Sequence, residues 1–318
     1  GIYTCGIEEP NALVQIINEH NEPNVRATVK KIYEGMIVKS QNRWPSLKRD
    51  FGSINNLLSP IFSAGFYYKT FMGPKGFWKN LYEPLIRRTA GLGKPPKEFK
   101  SKSIHLHHNV DVLIVGGGLA GLLAAKKLAG TDHDVLLIER ENLLGGNLIN
   151  TKKIKSVDDQ KPGDWIEKTE WLIKNSKNIK VLKNTTVTTY NYNNHLIAFE
   201  DKSAGRPQDD TKPELVLHKI RTKHTILANG HIERFLSFRN NDLPGVMLAA
   251  SFEKYIHRYG VVPNESPVIF TNNSSTFSLV DSLLTLGHKP KAYIDVRDQK
   301  KIEKETLDLL TKHNIPLY

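Results

Sequence analysis

The stretch Val110-Asp111-Val112-Leu113-Ile114-Val115-Gly116-Gly117-Gly118-Leu119-Ala120-Gly121 decides how this chain folds. Val110–Val115 is apolar apart from Asp111, the composition of a strand buried inside a parallel sheet. Leu119–Leu128 is rich in alanine and leucine and reads as a helix. The glycines between and after them serve separate purposes. Gly116 permits a tight strand-to-helix turn, Gly118 lets the backbone approach a pyrophosphate, and Gly121 lets the helix pack closely on the strand. The helix start adds free amides and a partial positive charge, which suit phosphate groups.

A glycine string of this kind is weak evidence alone, and the residues around it supply the context. Asp134–Ile138 reads as the next strand, and Glu139 stands at its end, eighteen residues after Gly121. A carboxylate there hydrogen-bonds ribose hydroxyls and disfavours a 2′-phosphate. Together these features predict a Rossmann-type dinucleotide-binding unit. Gly145-Gly146-Asn147 forms a second glycine turn, suited to approach the cofactor again. Arg140 reads either as a cover for an adenine ring or as a solvated strand-end arginine. Val187, at the end of the strand-like Ile179–Val187, reads either as a backbone contact to adenine or as a core valine.

Further along, 151–213 reads as polar and variable, followed by two strands, Leu215–His218 and His224–Leu227. A second βα repeat comprises the strand Pro267–Thr271, the helix Phe277–Leu286 and the strand Lys291–Val296. Its turn, Thr271-Asn272-Asn273-Ser274-Ser275-Thr276, lacks glycine, so its backbone is unable to approach a pyrophosphate as closely. The second half is therefore expected to be structural or degenerate, leaving one dinucleotide in this chain. Strands alternating with helices give the fold class as α/β, a doubly wound parallel sheet. Ahead of it, residues 1–40 read as short strands and turns. Residues 41–98 are rich in aromatics and glycine without a clean period, an irregular segment wrapped over another surface, with Trp78–Arg88 as a short helix broken at Pro84 and Gly91–Ser103 as a linker. The expected division is 1–40, 41–104 and 105–318.

The chain has 318 residues and a formal net charge of +12. Its lysines are spread along the chain, and no basic patch interleaves with aromatics, so no nucleic-acid partner is expected. The charge favours an anionic cofactor or partner instead. No apolar run approaches the roughly 20 residues of a membrane span, and no signal peptide is visible, so neither membrane nor export is expected. Cys5 is the single cysteine, which excludes an internal disulfide and a cysteine-built metal site, and fits a reducing, cytoplasmic setting. His105, His107 and His108 sit at the expected linker with no carboxylate or cysteine nearby, so no metal site is expected. His231 and Glu233 follow Asn229-Gly230 and read either as cleft-lining or as surface residues. No catalytic acid, base or nucleophile stands out. The chain opens at Gly1 and stops at Tyr318 partway through an apparent βαβ unit, as a piece of a longer protein would.

Val112–Gly121, Glu139–Gly146 and Ala228-Asn229-Gly230 resemble the glutathione-reductase-like flavoproteins with two dinucleotide domains, Asn229 departing from the usual threonine. More distinctive strings include Glu8-Glu9-Pro10-Asn11-Ala12-Leu13-Val14, Ser40-Gln41-Asn42-Arg43-Trp44-Pro45, Ala64-Gly65-Phe66-Tyr67-Tyr68-Lys69-Thr70-Phe71, Tyr82-Glu83-Pro84-Leu85-Ile86-Arg87-Arg88 and Asn241-Asp242-Leu243-Pro244-Gly245-Val246-Met247. Together they resemble the α subunits of heterotetrameric sarcosine oxidases. That resemblance implies non-covalent NAD, held by Ala120, Glu139, Arg140, Asn147 and Val187 besides Gly116, Gly118, Gly121, Gly145, Gly146 and Gly230. It also implies a partner β subunit carrying covalent FAD, an FMN at the α/β interface, smaller further subunits, and peroxide as product. The one-carbon unit would pass to tetrahydrofolate on a C-terminal domain not found here. Residues 1–40 resemble the end of a ferredoxin-type domain. Its cluster cysteines would match Thr4, Glu9, Ala12 and Thr28, so no iron–sulfur cluster is expected. Two alternatives stand beside this reading. One is an FAD-binding subunit of a related amine, opine or proline dehydrogenase or hydrogen cyanide synthase; the other is a non-catalytic scaffold with a structural dinucleotide.

Overall fold

The computed structural model describes residues 12–17, 22–41, 43–57, 73–93, 102–207, 212–241 and 245–318. They fall into two compact units, a smaller one within 9–102 and 203–212 and a larger one within 103–202 and 213–318.

In the smaller unit, β1 (Leu13–Ile16), β2 (Glu22–Arg26) and β3 (Val38–Ser40) form an antiparallel sheet in the order β2-β1-β3. Ile16 is its fully buried residue. Two side-chain amides tie a distant strand of chain to this sheet. Gln41 Nε2 donates to Asn24 Oδ1 at 3.0 Å and to the Gly91 carbonyl at 3.1 Å, and Gly93 N donates to Asn24 Oδ1 at 2.8 Å. The expected helix over Trp78–Arg88 is not broken at Pro84. A wide π-type turn, Trp78–Tyr82, leads into α1 (Glu83–Thr89), with Pro84 in its first turn. The helical backbone continues through Tyr82 into α1, with Glu83 N donating to the Trp78 carbonyl, so the widened turn before Pro84 accommodates the proline without a break.

The larger unit is built on a six-stranded sheet in the order β6-β5-β4-β9-β8-β7. Its strands are β4 (Ser103–Val115), β5 (Val135–Ile138), β6 (Ile179–Leu182), β7 (Thr185–Asn191), β8 (His195–Asp201) and β9 (Leu215–Leu227). β6, β5, β4 and β9 run parallel, and β8 and β7 extend the sheet as an antiparallel hairpin. The helices α2 (Leu119–Leu128), α3 (Asn147–Asn150) and α4 (Pro162–Asn175) connect the parallel strands.

Three expectations need correction here. Residues 151–213 are not merely variable: they supply α4, β6, β7 and β8. The two expected strands at 215–218 and 224–227 are one continuous strand, β9, of 13 residues. The histidines expected at a linker lie inside β4, which begins at Ser103. In each case the strand is polar on one side, and tertiary pairing supplied what apolar content did not.

The parallel strands bury both faces. Val112, Ile114, Val135 and Leu137 pack against Leu122 and Ala125 of α2 and Trp165, Ile166 and Ile173 of α4. Leu113, Leu136 and Ile138 face the other way and pack against Leu196, Ala198 and Ile220 from β8 and β9. Strict alternation would put Val110 with Val112, yet Val110 packs with Leu113. A bulge explains the change, since Asp111 N and Val112 N both donate to the carbonyl of Asp134, at 2.9 and 3.0 Å.

The remainder of this unit carries α5 (Ala249–Tyr259), β10 (Val268–Thr271), α6 (Phe277–Thr285), β11 (Ala292–Asp295) and α7 (Lys304–Lys312). β10 and β11 pair in parallel over a second core of Phe252, Ile269, Leu279, Val280, Leu283 and Tyr293. The buried Tyr293 hydroxyl is satisfied by Thr276 Oγ1 at 2.8 Å.

A polar chain crosses the buried face of β4, β9 and β8. His108 Nε2 lies 2.8 Å from His218 Nδ1, and His218 Nε2 lies 3.0 Å from Glu200 Oε2. His218 is 1% exposed. Burial, aided by the positive charge of Lys180, lowers the His108 pKa from the usual 6.5 to about 4. Burial also lowers that of His218. Between pH 6.5 and about 4 the unfolded chain therefore binds a proton at His108 that the folded chain refuses. Stability contributed by neutral His108 is complete above pH 6.5 and is lost as the pH falls through that window. Thermal unfolding followed from pH 7 to pH 4.5 should show a falling midpoint, and His108→Gln should flatten the fall, His218 keeping the remainder. An identical pH slope in the variant would contradict this account.

Candidate dinucleotide site

Gly116 follows β4 with φ +104°, a left-handed backbone that glycine alone adopts freely. Its amide donates to the Ile138 carbonyl at 2.8 Å, and Ala228 N donates to the Val115 carbonyl at 2.8 Å, so the ends of β5 and β9 flank the turn. A Cβ on Gly116 would lie 2.3 Å from the Ala228 oxygen. A Cβ on Gly121 would lie 1.8 Å from the Gly116 oxygen, so only glycine lets α2 sit this close to the turn. Gly118 caps α2 in an extended conformation, and its carbonyl accepts from Leu122 N at 2.9 Å. The amides that precede Leu122 in the helix have no acceptor within it, and they carry the positive end of the helix dipole.

Glu139 closes the turn from the side. Its Oε2 accepts from Gly117 N at 2.6 Å and its Oε1 from Glu141 N at 2.8 Å. Each carboxylate oxygen has a second lone pair, which leaves room to accept from a ribose hydroxyl. The second glycine turn lies directly on the first. Gly145 N donates to the Gly117 carbonyl at 2.8 Å, and a Cβ on Gly146 would come within 3.0 Å of Gly118 Cα. Gly146 precedes α3, whose first residue, Asn147, is exposed beside it.

Of the other expected residues, Ala120 is exposed in the first turn of α2, and Arg140 is exposed next to Glu139. Val187 lies in β7 opposite Ala198, partly buried against the Leu113 core. Its strand begins beside the site, because Thr185 N donates to the Glu139 carbonyl at 2.9 Å. Gly230, with φ +69°, follows Ala228 in open space. His231 is exposed, whereas Glu233 accepts from Ala250 N at 2.8 Å and so caps α5. Among the described residues no three His, Cys, Asp or Glu side chains group to hold a metal ion, and no helix is long and apolar enough to cross a membrane.

Three residues that local patterns did not single out support the site. Glu141 pairs with Arg258 at 3.1 Å and with Lys254 at 3.7 Å, and Arg258 also donates to Asn142 Oδ1 at 3.1 Å. Burial raises the Glu141 pKa, but the two cations outweigh it and hold the carboxyl below its usual range. The contact joins α5 to the loop after Glu139 across more than a hundred residues, and no spacing rule reveals it. In the second repeat, side chains occupy the corresponding turn. Asn273 Oδ1 accepts from Ser275 N at 2.8 Å, and Arg297, held by Asp295 at 2.8 Å, reaches Ser274 Oγ at 3.3 Å.

Residues 110–265 match the family described as pyridine nucleotide-disulphide oxidoreductase. Sarcosine oxidase subunit alpha of Rhizobium meliloti (strain 1021) is 38% identical over 98% of this chain and 32% of that subunit. The subunit of the same name from Corynebacterium sp. (strain P-1) is 28% identical over 90% of this chain and 25% of its own length. The chain thus spans about a quarter to a third of these relatives. Among solved structures, L-proline dehydrogenase from P. horikoshii superposes on 65% of this chain and 39% of its own, with 23% identity and a TM-score of 0.47. The chain is a relative of sarcosine oxidase subunit alpha, and it carries an oxidoreductase domain of the flavin- and dinucleotide-binding type.

Proposed function

We propose that the chain is the NAD-binding part of an α-type subunit in a multi-subunit sarcosine oxidase. In this reading it supports the oxidative demethylation of sarcosine to glycine, with release of a one-carbon unit and hydrogen peroxide. The chemistry belongs to flavins that a β-type partner holds or shares, including an FMN at the interface between the two chains. NAD would rest its pyrophosphate on Gly116, Gly118, Gly121 and the second turn, Gly145 and Gly146, with Ala120 and Asn147 at the two helix starts. Glu139 would take the ribose hydroxyls, Arg140 and Val187 would border the adenine, and Gly230 would line the approach. Bound dinucleotide supplies no step that these residues catalyse; they bind and orient it. Residues 1–40 are read as a ferredoxin-type remnant; of the four cluster positions, Thr4 and Glu9 lie outside the described residues.

The observation that carries the reading is the space around Gly118. Gly116, Gly121 and Gly146 are each required by a backbone neighbour, whereas a Cβ on Gly118 would meet nothing closer than Gly146 Cα at 4.0 Å. Its φ of −75° suits any residue. Neither sterics nor backbone conformation asks for glycine there, but close approach of a pyrophosphate does. A partner subunit is supported by the apolar side chains of the smaller unit, where Leu47 is 74% exposed, Leu57 80% and Trp44 56%. Large apolar exposure of this kind marks a surface that another chain covers.

Acid release of the nucleotide from purified protein, followed by chromatography, should yield NAD and no flavin. Stoichiometric FAD would overturn the assignment in favour of the related amine dehydrogenases. Gly118→Ala should leave the melting temperature of the nucleotide-free chain within about 2 °C, since surface changes of this kind cost only tenths of a kcal/mol. The same variant should bind NAD about tenfold or more weakly, a loss of about 1.4 kcal/mol. Gly121→Ala should instead lower stability outright, and equal NAD affinity in Gly118→Ala would remove the main support for the site.

A further inference from the structure

We propose that the open face of the β4–β9–β8 sheet holds a binding site for a small polyanion, a molecule bearing phosphate or carboxylate groups. Burial alternates along β9: Val216, His218 and Ile220 are buried, while Leu217, Lys219 and Arg221 project to the opposite side. Strand pairing then assembles the site. His107 on β4 lies opposite Lys219, Asn109 lies opposite Arg221, and His195 on β8 lies opposite Arg221 from the other side. These residues, with His108, line a half-open surface depression of about 350 Å³ whose lining includes no carboxylate. The His108 ring is turned to the buried face, where it meets His218, so the depression is defined by the other five side chains.

Two features argue for an anion in particular. Lys219 and Arg221 stand two residues apart on the same face of β9, where like charges repel, and a bound anion converts that repulsion into attraction. The donor set also matches an oxyanion chemically. An arginine fork, a lysine ammonium, an asparagine amide and two imidazoles line the same opening and offer hydrogen-bond donors, and charge-assisted bonds of this type are the strong ones. The volume lies at the lower end of small-molecule sites, room for a compact polyanion and too little for a dinucleotide. The site stands apart from the dinucleotide turn: Asn109 is seven residues before Gly116 on one strand, about 23 Å at 3.3 Å per residue. The inference therefore holds or fails independently of the NAD reading.

Isothermal titration of the full chain at low ionic strength, with inorganic pyrophosphate and separately with citrate, each in the presence of saturating NAD so that the glycine turns are occupied, tests the site. Saturable binding of either probe is expected, weakened about tenfold to a hundredfold in a Lys219→Gln/Arg221→Gln variant that keeps the glycine turns intact. Arg221→Gln alone serves as the second variant if the double one loses its circular dichroism signature. Binding of pyrophosphate alone identifies a phosphate ligand, and binding of citrate alone a carboxylate ligand. Absence of saturable binding by both probes, or undiminished binding in the variants, overturns the proposal.

Discussion

The contact on which the larger unit depends is the absence of a side chain at Gly121. The carbonyl oxygen of Gly116 occupies the place where a Cβ would stand, 1.8 Å away. That clearance sets how closely α2 lies on the end of β4. From it follows the packing of Leu122 and Ala125 on Val112 and Ile114, and so the main core. The same close seating directs the start of the helix, with its unpaired amides, at the mouth of the sheet. Folding and ligand binding thus share one steric constraint, but they do not use the same glycines: Gly121 serves the packing, and Gly118 leaves its space open.

Electrostatics tightens what sterics allows. The Glu139 carboxylate accepts from Gly117 N and Glu141 N, so it is part of the turn before any ribose arrives. Glu141 continues the connection through Arg258 and Lys254 of α5. The loop after β5 is therefore held from both ends, by backbone amides on one side and by cations from the second half of the unit on the other. A site of this kind is largely formed in advance, which reduces the ordering that a ligand must impose. At the opposite end of the same strands the charge balance reverses, with cationic and imidazole side chains and no carboxylate lining the open depression.

The parts of this protein legible in its residues are those where local geometry leaves one solution. A buried strand, three spaced glycines and an acid after the next strand admit a single arrangement, and the second half of β4, α2 and β5 lie where they were expected. The second glycine turn was legible for the same reason. Harder to read were the strands with one exposed face. The run Ile179–Val187, expected as one strand ending at Val187, divides into β6 and β7, and the polar β7, Thr-Thr-Val-Thr-Thr-Tyr-Asn, extends past Val187 because β8 pairs with it. The first half of β4 has the same character, so its histidines seemed to belong to a linker.

What the sequence by itself determined is the strand–turn–helix and the acid that closes it, because backbone conformation and close approach depend on neighbours within a few residues. What only the tertiary structure decided is everything that requires two distant segments to meet. The bulge at Asp111–Val112 exists because Asp134 offers one carbonyl to two amides. The Glu141–Arg258 pair and the His108–His218–Glu200 chain join residues far apart in sequence. Nor does any local pattern reveal that Gly118 has room for a side chain, since that space is bounded by Gly146 on another turn. Contacts between segments depend on how strands pair and which faces they bury, and those are properties of the assembled sheet.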